Sequence, residues 1–223
     1  MSDEQLAIEG GTPVRTRPFP PGNKVGKEEL KELVDVIDSG MMGRFGGGTK
    51  VKQFEEEFAE VYGVKYAVAS TSGTSSLHIG VGIVNPSPGD EIIVGPITDI
   101  GSIVPILCQT AIPIFCEVQP DTFNMDPEDI ERKITEKTKA IMVIHLFGNP
   151  CDMDAIMEVA RRHDLIVIED CSQAHMSEYK GQFVGLIGDI GCFSLQQSKH
   201  ITCGDGGITV TNDEDYALRG KLF

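Results

Sequence analysis

Lys199 stands in the run Phe193-Ser194-Leu195-Gln196-Gln197-Ser198-Lys199-His200-Ile201-Thr202-Cys203-Gly204-Asp205-Gly206-Gly207, a polar loop between two apolar stretches. The small residues around it let a ligand or another backbone approach closely. Desolvation in a cleft penalises an ammonium group, and the free amine can form a Schiff base with an aldehyde. A lysine taken singly is far more often a solvated surface side chain. Two other groups change that balance. Asp170 closes a strand-like run and is followed by Cys171-Ser172-Gln173-Ala174-His175; alone, it reads equally well as a loop cap. Thr71-Ser72-Gly73-Thr74-Ser75-Ser76 follows another strand-like run and opens a helix. Free N–H groups, a glycine and hydroxyls there suit a phosphate, although an N-cap cluster without a ligand explains that segment alone. With Ser194 as a further phosphate donor, the joint set of amine, carboxylate and cradle suits pyridoxal 5'-phosphate.

Positioning these groups requires strands that end at a common edge. Apolar runs fall at 66–70, 91–94, 112–116, 140–144, 165–168, 190–193 and 208–210. Helical periodicity falls between them at 75–84, 101–109, 127–134 and 153–163, and earlier at 28–37 and 51–61, with Thr49 as N-cap and Gly63 as the stop of the latter. The alternation predicts an α/β fold, a three-layer sandwich around a mostly parallel seven-stranded sheet, with ligands bound beyond the carboxyl ends of the strands. Residues 1–25 read as an N-terminal arm and 26–223 as one cofactor-binding large domain. The acidic stretch 126–136 reads as a solvated helix face. The glycine-dense 43–50 resembles a phosphate-binding P-loop only superficially, because its order is Thr-Lys and no strand precedes it; a flexible loop near an active site or a dimer seam is expected.

Composition narrows the class. A net charge of -15 leaves no basic stripe for nucleic acid. No apolar stretch reaches the roughly 20 residues of a membrane span, and the start has neither the basic nor the apolar region of a signal peptide. Six cysteines without Cys-x-x-Cys or metal-ligand spacing read as reduced, mostly buried residues of a cytoplasmic protein with no metal. His145, His175 and His200 read as cleft-lining or merely hydrogen-bonded neighbours of the site.

From about Gly40 to Phe223 an ordered set of motifs resembles the DegT/StrS-type sugar aminotransferases, fold-type I pyridoxal-phosphate enzymes. The set includes Phe54-Glu55-x-x-Phe58-Ala59, Ser72-Gly73-Thr74-x-x-Leu77 and Pro88-Gly89-Asp90-Glu91. It continues with Lys137-Thr138-Lys139-Ala140-Ile141, His145-Leu146-x-Gly148, Asp152-Met153-Asp154 and Glu169-Asp170-Cys171-x-Gln173-Ala174. Gly188-Asp189, Phe193-Ser194, Ser198-Lys199 and Gly204-x-Gly206-Gly207 close it. Each motif alone is weak; their order is specific.

The resemblance implies that Lys199 holds the cofactor aldehyde and shuttles a proton, that Asp170 keeps the pyridine nitrogen protonated, and that Gln173 hydrogen-bonds the phenolic oxygen. Gly73, Thr74 and Ser194 are implied to hold the phosphate. It also implies a homodimer and transfer of an amino group from glutamate or glutamine to a keto group of a nucleotide-linked sugar or a cyclitol. Two departures stand out. In Gly95-Pro96-Ile97-Thr98-Asp99-Ile100, Asp99 takes the place of the family's stacking aromatic on the cofactor face, where it is expected to touch cofactor or substrate. The family's chains are also longer, so the small C-terminal domain is expected to be missing from this chain. Two alternatives follow: a non-catalytic pyridoxal-phosphate-binding or regulatory homologue, and a sugar dehydratase of the same family. Those dehydratases carry His in place of the lysine, so Lys199 argues against the latter.

Overall fold

The structure, a computed structural model, describes residues 5–18 and 25–223; of the arm predicted over 1–25, residues 1–4 and 19–24 lie outside the described residues. The chain divides into two compact units, residues 1–35 and 36–223. The first contains a 3-10 turn, Ala7–Glu9, stopped by Gly10 in the left-handed region (φ 100°). Helix α1 (Lys27–Ser39) carries Leu30, Leu33, Val34 and Ile37 at helical spacing, and all four remain exposed.

The second unit holds the sheet. Its seven strands are β1 (Tyr66–Ser70), β2 (Glu91–Val94), β3 (Ile112–Phe115), β4 (Thr138–Ile144), β5 (Ile166–Asp170), β8 (Ile190–Ser194) and β9 (Gly207–Thr211), in the order β1-β9-β8-β5-β4-β2-β3. Pairings β3–β2, β2–β4, β4–β5 and β5–β8 are parallel. Strand β9 lies antiparallel to both β8 and β1, so β1 runs the same way as the parallel strands. The carboxyl ends of β1, β2, β4, β5 and β8 therefore share one edge, and the connections leaving that edge are the ones that can build a site.

Both faces of the sheet are covered, as the apolar runs require. Ile92, Val94, Ala140, Met142, Ile144, Ile168, Ile190 and Cys192 face one layer, packing against Leu77, Val81 and Ile83 of α3 (Gly73–Val84), Ile106 of α4 (Val104–Cys108) and Tyr216 of α7 (Glu214–Leu222). The alternate residues Ile93, Ile141, Val143 and Val167 meet Ile130 of α5 (Pro127–Lys133) and Met153, Ile156 and Val159 of α6 (Met153–His163). Phe193, Ile208 and Val210 continue that face against Phe58 and Tyr62 of α2 (Lys50–Tyr62). The period of two along each strand thus sorts its side chains between two helical layers, giving the three-layer α/β sandwich.

Several local expectations are corrected. Thr49 precedes α2 but sits in helical backbone and makes no capping bond, whereas Gly63 does stop the helix at φ 70°. The helix expected over 101–109 is broken into a 3-10 turn, Ile100–Ser102, and the short α4, because Pro105 has no N–H to continue the first turn. In the acidic stretch 126–136, Asp129 is buried, accepting from the Glu117 amide and from Arg132, so that stretch is not a wholly solvated face. A hairpin of β6 (Glu178–Tyr179) and β7 (Gln182–Phe183), with positive φ at Lys180 and Gly181, precedes β8 and escaped the apolar pattern because each arm has two residues.

Candidate active site

A cleft of about 300 Å³ opens at the shared carboxyl edge, a size suited to a small ligand. Its lining includes Gly73, Thr74, Asp99, Asp170, Gln173, Ser194 and Lys199, so these seven residues reach one cavity; of the three histidines singled out from the sequence, His145 lines it and His175 and His200 do not. Topology explains the convergence. Gly73 and Thr74 follow β1, Asp99 follows β2, Asp170 ends β5, Ser194 ends β8, and Lys199 lies on the connection from β8 to β9.

The cradle forms where α3 begins. Ser72 caps it, its Oγ accepting the Ser75 amide at 3.0 Å and its carbonyl the Ser76 amide at 2.9 Å. The amides of Gly73 and Thr74, the first in the helix, are left without a helical acceptor and aim the positive end of the helix at the cleft. Close approach sets the residue types here: a Cβ on Gly207, at the start of β9, would lie 2.1 Å from the Ser72 carbonyl oxygen.

Asp170 is buried at the floor. Its Oδ1 accepts the Ser172 amide at 3.0 Å, an Asx turn that bends the chain away from β5, and its Oδ2 accepts the Ser102 hydroxyl at 2.7 Å. Gln173 is half-buried, and its Oε1 accepts the Phe147 amide at 2.8 Å, so what it offers a ligand is the donor end of its amide. Asp99 is exposed at the rim; its Oδ1 accepts the Gly101 amide at 2.8 Å and caps the turn Ile100–Ser102.

The connection that carries Lys199 is folded back on itself. Leu195 donates its amide to Gly206 and accepts the Cys203 amide and the Thr202 hydroxyl, while the Lys199 amide closes a turn onto Gln196 O at 2.8 Å. Behind it, His175 is buried, with its Nε2 2.8 Å from the Ser194 carbonyl. A carbonyl only accepts, so Nε2 carries the hydrogen, and the buried Nδ1 has no partner among the described residues. Burial first, then the nearby His200 and Lys199 charges, hold this imidazole below its ordinary pKa, against the opposing effect of the Ser194 carbonyl.

His145 also borders the cleft, but both ring nitrogens are committed. Nδ1 accepts the Cys151 amide at 3.1 Å, which leaves Nε2 to donate to Glu169 Oε2 at 3.0 Å. Glu169 is fully buried and saturated, its Oε2 also taking the Gly185 amide and its Oε1 the amides of Ile187 and Gly188. Cys171 completes a cluster whose ligand atoms lie within 4.8 Å of one another, but four donors already occupy the Glu169 oxygens. The cluster therefore reads as a structural clasp on the loop before β8.

Sequence reasoning missed Thr98 and Ser102, which also line the cleft. Their only signal was a hydroxyl pair four residues apart just after β2.

Comparison with known proteins accords with this geometry. The sequence pattern of the DegT/DnrJ/EryC1/StrS aminotransferase family matches residues 23–223. The chain is 40% identical over 220 residues to the L-glutamine:2-deoxy-scyllo-inosose aminotransferase of Streptomyces lividus, covering 97% of this chain and 52% of that one. It is 47% identical over 167 residues to GDP-perosamine synthase of Escherichia coli O157:H7, covering 75% of this chain and 46% of the relative. Among solved structures, NtdA from Bacillus subtilis, with its cofactor PMP bound, superposes with a TM-score of 0.78 at 28% identity, over 94% of this chain and 48% of that one. The chain spans about half the length of the curated relatives it matches. From residue 23 onward, the chain belongs to the DegT/DnrJ/EryC1/StrS aminotransferase family.

Proposed function

We propose that this chain is the pyridoxal-phosphate-binding part of an aminotransferase that moves an amino group from glutamate or glutamine to a keto group of a cyclitol or a nucleotide-linked sugar. The observation that carries this reading is the opening of a helix N-terminus, a buried carboxylate and a lysine into one small cleft. The residues fit the cofactor by chemistry. The N–H groups of Gly73 and Thr74 and the Ser194 hydroxyl match a phosphate, the donor end of Gln173 matches a phenolic oxygen, and Asp170 matches a protonated ring nitrogen. When bound, pyridoxal phosphate supplies an aldehyde that takes up amino nitrogen and a ring that withdraws electrons from the adjacent carbon. Lys199 Nζ would hold that aldehyde and would carry a proton to and from the substrate carbon. Asp170 holds the ring proton, and its donors Ser102 and Ser172 keep the carboxylate oriented.

Other parts of the reading have their own support. Domain organisation is read as an arm over 1–25 followed by a cofactor-binding large domain over 26–223. A homodimer is supported by exposed large apolar side chains in each unit taken by itself, Leu30 and Leu33 in the first and Met42 and Phe45 in the second, which a second copy could cover. Among the described residues no helix is long and apolar enough to cross a membrane. Six unpaired cysteines support a reducing, cytoplasmic setting.

The test is covalent trapping. Borohydride reduction of the chain loaded with pyridoxal phosphate should fix the cofactor on the peptide that contains Lys199, and Lys199→Ala should remain unlabelled. Glutamate or glutamine should bleach the visible band of the loaded chain. Labelling elsewhere, or no labelling, overturns the reading.

A further inference from the structure

We propose that Thr98 and Ser102 form a polarised hydroxyl relay that positions Asp170 and presents only a hydrogen-bond acceptor to the cleft; the inference rests on the pyridoxal-phosphate reading of that cleft. Ser102 is fully buried, and its Oγ lies 2.7 Å from Asp170 Oδ2 and 2.7 Å from Thr98 Oγ1. A serine hydroxyl has one hydrogen. The Asp170 carboxylate only accepts, so the Ser102 hydrogen goes to Asp170 and the Ser102 oxygen must accept from Thr98. That commits the single hydrogen of Thr98 as well. Thr98 lines the same cleft, and the lone pairs it has left are all it can offer an occupant.

Two consequences follow. First, Asp170 is held by one donor on each oxygen, Ser172 N–H and Ser102 O–H, so the plane of the carboxylate is fixed before any ring nitrogen reaches it. Charge-assisted hydrogen bonds of this kind are the stronger ones. Second, Thr98 sorts occupants by polarity: a hydroxyl or amine hydrogen is accepted beside it, whereas a bare carbonyl or phosphate oxygen meets only lone pairs. A polyhydroxylated acceptor suits that wall. The geometry of the turn supports the arrangement, since Asp99 caps it at one end and Gly101 packs so closely on Thr74 that a Cβ there would lie 2.7 Å from Thr74 Oγ1.

Ser102 is a positioning residue in this scheme, and conservative rescue separates that role from packing. Absorbance titration with pyridoxal phosphate should show Kd rising about tenfold in Ser102→Ala and recovering to within about threefold of the unsubstituted chain in Ser102→Thr, which restores the donor. Without cofactor, hydrogen exchange at the Ser172 amide should speed up about tenfold in Ser102→Ala, because the freed carboxylate rotates away from it. Unchanged affinity and exchange in Ser102→Ala would overturn the relay. So would equal losses in Ala and Thr, or losses that merely track a fall in melting temperature. A wild-type chain that takes up no pyridoxal phosphate sinks the functional reading instead, and the exchange experiment still decides the relay.

Discussion

Gly73 rests directly on Ser194: a Cβ built on Gly73 would lie 2.5 Å from the Ser194 Cβ and 2.8 Å from its Oγ. The first residue of α3 and the last residue of β8 are thus in contact across the sheet edge, and this contact sets the helix start beside the Ser194 hydroxyl, as the proposed phosphate cradle requires. No side chain fits between them. Gly73→Ala must push the helix start off the strand, costing about 1–3 kcal/mol of stability by overpacking. The displaced amides should weaken pyridoxal-phosphate binding by about tenfold, equivalent to about 1.4 kcal/mol. Urea unfolding and an absorbance titration measure the two effects separately. Wild-type values in both would show that the contact is not what spaces the cradle.

Glu169 is the most densely bonded side chain near the site, with four donors on two oxygens and no exposure. Glu169→Gln keeps the shape but turns one acceptor into an NH2 group facing N–H donors. Breaking a buried charged network in this way costs about 3–5 kcal/mol. The loop 185–188 should loosen first, since three of the four donors come from it. Thermal melting should fall by about 2–4 °C per kcal/mol lost, and proteolysis should concentrate at that loop. A variant as stable as the parent would show that the clasp adds little.

His175 predicts a pH dependence with a definite sign. Its imidazole is held below the ordinary value of 6.5 by burial, while the unfolded chain binds a proton near that value. Between the two, the unfolded state carries more protons, so stability falls as pH drops through 6.5 and is fully present above it. His200 and Lys199 face the ring from the neighbouring connection and favour the neutral form. His175→Gln retains a donor for the Ser194 carbonyl and has no proton to gain. Its unfolding free energy should therefore lose less between pH 7 and pH 5 than the parent's. Parallel stability curves for the two chains would remove His175 from the account.

The sheet was legible because its strands are short apolar runs separated by helical periods, and the site because strand ends in a parallel sheet converge. Lys199, Asp170 and the 71–76 segment could be brought together by that rule alone. What the sequence concealed lies in the hydrogen bonds. Ser102 looked like one small residue in a helix, since nothing local shows that Pro105 restarts the helix and turns the serine toward Asp170. Glu169 looked like the neighbour of the important carboxylate; its side chain points the opposite way along a strand whose residues alternate faces, and it binds a loop sixteen to nineteen residues on. The β6–β7 hairpin was too short for any periodicity to register.

Asp99 ends as a rim residue with an assigned bond, and its substitution separates capping from charge. Its Oδ1 takes the Gly101 amide, so Asp99→Ala should cost about 1 kcal/mol, a usual N-cap loss, while Asp99→Asn keeps the oxygen and the cap. Charge acts differently. A Cβ on Gly101 would lie 2.7 Å from Thr74 Oγ1 and 3.0 Å from Asp99 Oδ1, which places a negative group beside the proposed phosphate cradle. Asp99 is exposed, and in bulk water like charges about 4 Å apart repel by about 1 kcal/mol, so Asp99→Asn should bind pyridoxal phosphate about two- to fivefold more tightly. Salt should shrink that gain, because exposed charges are screened within about 10 Å at 0.1 M. Titrations of the two variants at low and high ionic strength measure it directly. Weaker binding by the asparagine variant at both salt concentrations would mean that the carboxylate grips a donor on the ligand, and the repulsive reading would fall.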